Sequence, residues 1–131
     1  MKFLEEISKI ISDYAKHGDN RSVEALLKIQ DRLAGYSYLL AEYAAQLKYT
    51  YNENYFIRKI EFQKSKHAYI NTGKSATAAE NLAEIEVQEW RKKEIESESH
   101  GYKADLLLKQ VNRVLGALQQ RISYMKIDIE K

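Results

Sequence analysis

Residues 76–129 read ATAAENLAEIEVQEWRKKEIESESHGYKADLLLKQVNRVLGALQQRISYMKIDI. Over these 54 residues an apolar or small side chain returns every three or four positions, and no proline interrupts the run. One phase is Val87, Gly101, Leu108, Leu115, Ile122 and Ile129, with Glu80 and Glu94 as polar members. The other is Ala76, Ala83, Trp90, Ser97, Ala104, Val111, Leu118 and Met125. A three–four alternation kept this long marks the two core positions of a heptad repeat. It predicts one helix over 76–129. The polar stretch Glu96-Ser97-Glu98-Ser99-His100-Gly101 is placed inside that helix because the phase is the same on both sides; a loop there, giving four helices, is the alternative.

Upstream, Asn71-Thr72-Gly73-Lys74-Ser75 is the clearest turn in the chain. Gly73 suits a positive φ, and Ser75 or Thr77 can cap the helix that follows, the latter through a Thr77-Ala78-Ala79-Glu80 capping box. Before it, residues 22–70 carry a second long stripe: Leu26, Ile29, Leu33, Tyr36, Leu40, Tyr43, Ala44, Leu47, Tyr51, Tyr55, Phe62 and Tyr69, with Arg58 and Ser65 as polar members. A helix of this span is roughly 70 Å long and needs a partner along its length. Residues 2–16 form a short amphipathic helix with Phe3, Ile7, Ile10, Ile11 and Tyr14 on one face. Gly18 reads as its αL cap, and Asp19, Asn20 or Ser22 as the cap of the next helix. The predicted fold is all-α: a long antiparallel, coiled-coil-like helical hairpin with a short N-terminal helix, in a single domain 1–131.

Folding the long helices about Gly73 sets residue i opposite about 144 − i on a symmetric hairpin. Ser97, Gly101 and Ala104 then face Leu40, Tyr43 and Leu47, small against large, and Leu26, Ile29 and Leu33 face Val111, Leu115 and Leu118. Arg58 is expected to meet Glu86 or Glu89. From Arg58 to Lys74 there are five Lys or Arg against one Glu; from Glu80 to Glu98, seven Glu against three Lys or Arg. Opposed charges of this kind set register more than stability. Two helices alone do not cover all the aromatic side chains. Tyr49, Phe56 and Ile60 make a second apolar line, and with Tyr55, Phe62 and Trp90 they are the expected surface for self-association or for a partner protein.

Composition narrows the function. The chain has 131 residues, no proline, no cysteine and a net charge of +2. Absence of cysteine removes disulfides and thiolate metal sites and favours a cytoplasmic location. The near-neutral charge supplies no general field for nucleic acid. Met1-Lys2-Phe3-Leu4-Glu5-Glu6 does not read as a signal peptide, and no 18-residue apolar run predicts a membrane span. No Glu precedes His17, His67 or His100 by three positions, as a di-iron bundle requires, and the spacing of Glu96 and His100 reads as a solvated patch. Gly73-Lys74-Ser75 lacks the first glycine of a phosphate loop, Ala68 standing in its place. No nucleophile elbow is present. The expectation is therefore a non-enzymatic protein with no cofactor and no metal.

One run mixes aromatics with cations. Arg58, Lys59, Lys64, Lys66, Tyr69 and Lys74 are the candidate contacts for a nucleic acid, a nucleotide or another anion, by stacking and phosphate pairing. The competing reading makes the aromatics core and the lysines a solvated face paired with the glutamates of the other arm.

Tyr55, Arg58-Lys59, the run Gly73-Lys74-Ser75-Ala76-Thr77-Ala78-Ala79-Glu80, and Val114-Leu115 through Gln119-Gln120-Arg121-Ile122-Ser123-Tyr124 resemble small all-helical accessory proteins of phages and prophages. The similarity covers about residues 20–126. It implies a phage-derived accessory factor in the host cytoplasm, of a kind that binds DNA, a host protein or a host defence signal. It assigns no activity to particular positions. The leading expectation is a protein-interaction and oligomerisation surface; the second is a nucleic-acid or nucleotide-binding factor; the third is a structural spacer.

Overall fold

The computed structural model describes residues 2–130, and of residues 19, 129 and 130 the backbone alone. The seam position Ile129 and the alternative cap Asp19 therefore lie outside the described side chains. The chain is all-α: α1 (Lys2–His17), a 3-10 turn (Gly18–Asn20), α2 (Val23–Asn71), α3 (Ala76–Glu86) and α4 (Gln88–Glu130). It divides into two compact units. A terminal unit is formed by Met1–Tyr43 with Ala104–Lys131, and a central unit by Ala44–Lys103.

The terminal unit is held by aliphatic packing. Ile7 and Ile10 of α1, Leu26, Leu33 and Leu40 of α2, and Val111, Leu118 and Ile122 of α4 form one buried cluster. Phe3, Ile11 and Tyr14 pack against it, completing the face expected of α1. Tyr43 closes the cluster edge-on against Phe3, with ring centroids 5.8 Å apart. The buried positions of α4 follow the heptad phase, and those of α2 fall at seven-residue steps. Two exposed ion pairs, Arg21–Asp13 (2.5 Å) and Arg32–Glu6 (3.6 Å), tie α1 to the start of α2 and contribute little beside the core.

Side-chain capping starts α2. The Ser22 hydroxyl accepts from the Ala25 N–H at 3.2 Å. Gly18 is not the αL cap that the sequence suggests, since the positive φ in the described chain is at Gly73 alone. Gly18 is needed for closeness instead: a Cβ there would sit 2.8 Å from the Tyr14 ring.

In the central unit, α2 ends in a Schellman motif. Gly73 takes φ 93°, its N–H donates to the Ile70 carbonyl at 3.0 Å, and the Lys74 N–H donates to the Tyr69 carbonyl at 3.2 Å. Ser75 caps α3 by accepting from the Ala78 N–H at 3.2 Å, so the Thr77 capping box is not the cap used.

Where the heptad phase predicts one helix over 76–129, the chain makes two. Val87 (φ −94°, ψ 11°) leaves the helical region between α3 and α4. The cause is a change of spacing. Ala79, Ala83 and Val87 are buried four apart, whereas beyond Val87 the buried positions Glu94, Ser97 and Ala104 keep the three–four alternation. Steps of four carry a contact stripe around the helix one way and steps averaging three and a half carry it the other way. The two phases meet at Val87. Ala76 and Glu80, expected in the seam, are consequently exposed, and Ala79 takes the seam place. The polar stretch 96–101 is helical throughout.

Candidate functional site

The central unit differs from an ordinary helix pair in having a polar seam. Asn54 of α2 donates to the Ser97 hydroxyl at 3.2 Å and to the Lys93 carbonyl at 3.4 Å. One turn on, the Arg58 guanidinium pairs with the Glu94 carboxylate, and both side chains are close to fully shielded, at 13% and 10% exposure. The hydrogen bond to Glu94 raises the Arg58 pKa above its ordinary value, against the opposing effect of partial burial. Further toward the turn, Glu86 accepts from the Ser65 hydroxyl at 2.5 Å and from the Tyr69 hydroxyl. Lys66 pairs with Glu80 at 3.0 Å.

These pairs define the register. As numbers rise along α2 they fall along α3 and α4, so the paired helix segments of this unit run antiparallel, and 54 with 97, 58 with 94 and 65 with 86 sum to 151 or 152. The expected rule of 144 − i is therefore off by about two turns. Arg58 meets Glu94 rather than Glu86 or Glu89, and Ser97 meets Asn54 rather than the tyrosine stretch. Gly101 leaves no special room: a Cβ there would touch Leu47 at an ordinary 4.0 Å.

Glu86 sits at the Val87 interruption. Its two hydroxyl donors, Ser65 first and Tyr69 second, hold its carboxyl below the usual carboxylate range, and the same bond raises the Tyr69 phenol above its ordinary value. Glu61, Lys64, Ser65, Glu86, Val87 and Trp90 line a shallow groove of about 290 Å³ here. Its polar walls are already paired among themselves. Trp90 is half-buried beside Val87 and carries the Lys93 ammonium 4.4 Å from its ring centroid.

The outer surface of α2 is different. Tyr49 and Phe56 are 70% and 63% exposed, and Ile60 is exposed beside them. At 100° per residue these three share one face, roughly opposite the face that carries Leu47, Asn54, Arg58 and Ser65. In this unit α2 thus exposes three large apolar side chains among polar ones on its solvent side and carries polar pairs in its seam. Of the other expected surface residues, Tyr55 stands aside under Arg58 and Lys59, Phe62 is half-buried, and Trp90 belongs to the groove at Val87.

The candidate nucleic-acid contacts are scattered among these interactions. Arg58 is held by Glu94, Lys66 by Glu80, Lys64 by Glu61 at 3.6 Å, and Tyr69 by Glu86. Lys59 lies 4.9 Å from the Tyr55 ring centroid, and Lys74 stands exposed in the turn. Asn54 and Glu86 are the paired residues that the sequence reading leaves out: Asn54 continues the seven-residue steps of Leu26, Leu33, Leu40 and Leu47 as a polar member, whereas Glu86 falls in neither apolar phase. A signal existed for Arg58 and Glu94: both are polar interruptions of their stripes, and interruptions of opposite charge are natural partners. Among the described residues no group of three or more His, Asp or Glu side chains is placed to hold a metal ion, and no helix is long and apolar enough to cross a membrane. The chain matches no protein-family model, no curated protein and no solved structure.

Proposed function

We propose that this chain is a non-enzymatic accessory protein of phage type, acting in the host cytoplasm as a self-associating, coiled-coil-like helical hairpin that engages a protein partner. The observation that carries the reading is the outer face of α2 in the central unit. Tyr49, Phe56 and Ile60 expose aromatic and branched surface side by side while the same helix spends its seam on polar pairs. Exposed apolar side chains grouped on one helix face are the usual mark of helix-mediated recognition, and aromatic anchors dominate its energetics.

The reading as a nucleic-acid or nucleotide-binding factor has less behind it. Four of its basic side chains, Arg58, Lys59, Lys64 and Lys66, are engaged by glutamates of the same unit or by an aromatic ring, which leaves Lys74 exposed in the turn, and the net charge is +2. Retention of material from host cells on the immobilised chain separates the two. The protein-partner reading expects one protein held in stoichiometric amount, resistant to nuclease and lost when Tyr49, Phe56 and Ile60 are replaced by serine. Retention of nucleic acid that weakens steeply with salt, and is lost on Lys59→Glu, Lys64→Glu and Lys66→Glu, would overturn it in favour of the second reading.

A further inference from the structure

The terminal unit carries a second unpartnered surface, on α4, unlike the aromatic face of α2. Gly116 lies in the interior of this helix, exposed, and a Cβ added there would meet nothing within 4 Å. Glycine weakens a helix interior, and no contact within the chain requires its small size here. Gly116, Gln119, Gln120, Ser123, Tyr124 and Ile127 line a shallow groove of about 480 Å³. A second groove borders it across Tyr124, with Ala117 and Asp128 in its wall. The surface therefore has a notch, Gly116–Ala117, and two projections two to three turns on: Tyr124, 62% exposed, and Ile127.

We infer that this face of α4 docks the same face of a second copy of the chain, antiparallel, with the two-fold axis at Gln120. The inference rests on the reading of the protein as self-associating and names the surface that does it. Two features select a second copy as occupant. First, the notch at Gly116 and the projection at Tyr124 lie on one helix at equal distances either side of Gln120. In an antiparallel pair residue i lies level with 240 − i, so Tyr124 of each copy falls over Gly116 of the other, and Ile127 lies one turn further on, level with Arg113. A glycine at the crossing lets the helix axes approach closely, and an isologous interface requires this self-complementarity. Second, the charges match. Arg113 and Asp128 are exposed, and neither has an ion pair within the described chain. On an ideal helix they share one flank of the outward face, and the antiparallel register brings Arg113 of each copy beside Asp128 of the other. The symmetry gives this pair twice, once at each end of the contact.

Sedimentation equilibrium tests the inference. The wild-type chain is expected to dimerise. Gly116→Leu fills the notch with helix content kept and should leave a monomer. Arg113→Glu or Asp128→Arg alone should raise the dimer Kd by about tenfold or more, because each sets like charges together twice, and the two changes combined should restore it. A wild-type chain that stays monomeric at high micromolar concentration overturns both this interface and the self-association reading. A dimer indifferent to Gly116→Leu and to the charge reversals, but lost on Phe56→Glu, overturns the α4 interface alone and moves self-association to the face of α2.

Discussion

The two units use the same pair of helical periodicities to opposite ends. In the terminal unit the seam is Leu26, Leu33 and Leu40 against Val111, Leu118 and Ile122, with α1 adding Ile7 and Ile10. In the central unit the buried side chains Ala79, Ala83 and Val87 are joined by polar pairs, Asn54 with Ser97 and Arg58 with Glu94, and by Ser65 with Glu86 at the exposed edge. Aliphatic contact is favourable and non-directional, so it stabilises without fixing which residue meets which. A buried ion pair adds little net stability, since desolvation offsets its attraction, but it penalises any register that separates its members. The terminal unit is therefore where folding free energy resides, and the central unit is where the alignment of the helices is specified.

The sharpest way to break this contrast is to open a cavity in the terminal unit. Leu118 is fully buried in its cluster. Leu118→Ala should cost about 3.5 kcal/mol in urea unfolding, within the range for a buried leucine. A cost below about 1 kcal/mol would mean that the aliphatic cluster is not the main source of stability.

The ion pair of the central unit predicts a different pattern. Glu94→Ala leaves the Arg58 guanidinium shielded and without its counter-charge, at a cost of about 3 kcal/mol. Amide hydrogen exchange should show the loss within residues 44–103, with the amides of Leu26 and Leu33 keeping their protection. Replacing both members by leucine should bring stability back to the wild-type level or above it, while relaxing register. If the double replacement is as damaging as Glu94→Ala, the pair is a source of stability and the division of labour between the seams is wrong.

A smaller effect is expected at Asn54. Asn54→Ala removes the amide that bonds Ser97 and the Lys93 carbonyl, and the Ser97 hydroxyl retains bonds to the carbonyls of Lys93 and Glu94. The cost should be about 1 kcal/mol by thermal unfolding. Ser97→Ala should cost no more than that, and the two changes together should cost less than their sum, because they share one bond.

The contrast also explains what could be read from the sequence and what could not. The helices, the turn at Gly73 and the membership of the terminal cluster follow from periodicity, because aliphatic burial needs only the right residue class at the right spacing. Register does not follow from class. A symmetric fold about Gly73 leaves out the residues that the turn itself consumes and the phase change at Val87, and so sets Arg58 against Glu86 or Glu89 instead of Glu94. Val87 was hidden because valine fits both phases, and only the exposure of Ala76 and Glu80 separates them. The outer face of α2 was legible as an apolar line, Tyr49, Phe56 and Ile60. That the line lies opposite a polar seam depends on the pairing of Arg58 and Asn54, which no hydrophobic pattern encodes.

The smallest expected effect is a pH dependence at the Val87 interruption, and its sign is fixed by two shifts in opposite directions. The Ser65 and Tyr69 hydroxyls favour the ionised form of Glu86, so its carboxyl lies below the ordinary 4.5. The stabilisation they give is in place above that value and is lost as pH falls through the lowered folded-state pKa. Glu86 in turn favours the neutral Tyr69 phenol, raising it above 10.0, so that contribution is in place below 10.0 and is lost as pH rises through the raised value. The network should therefore be intact across the neutral range and fail at both extremes. Glu86 is exposed, so screening keeps the effect small and global unfolding is a poor reporter. The chemical shifts of Ser65, Tyr69 and Val87 are the better one. They should titrate with Glu86 at low pH in the wild type and lose that step in Glu86→Gln. Leu33 and Leu118 should show no change in either protein. A wild-type step at or above the ordinary carboxylate value would mean that the hydroxyls do not hold Glu86, and the central seam would then end at the Arg58–Glu94 pair.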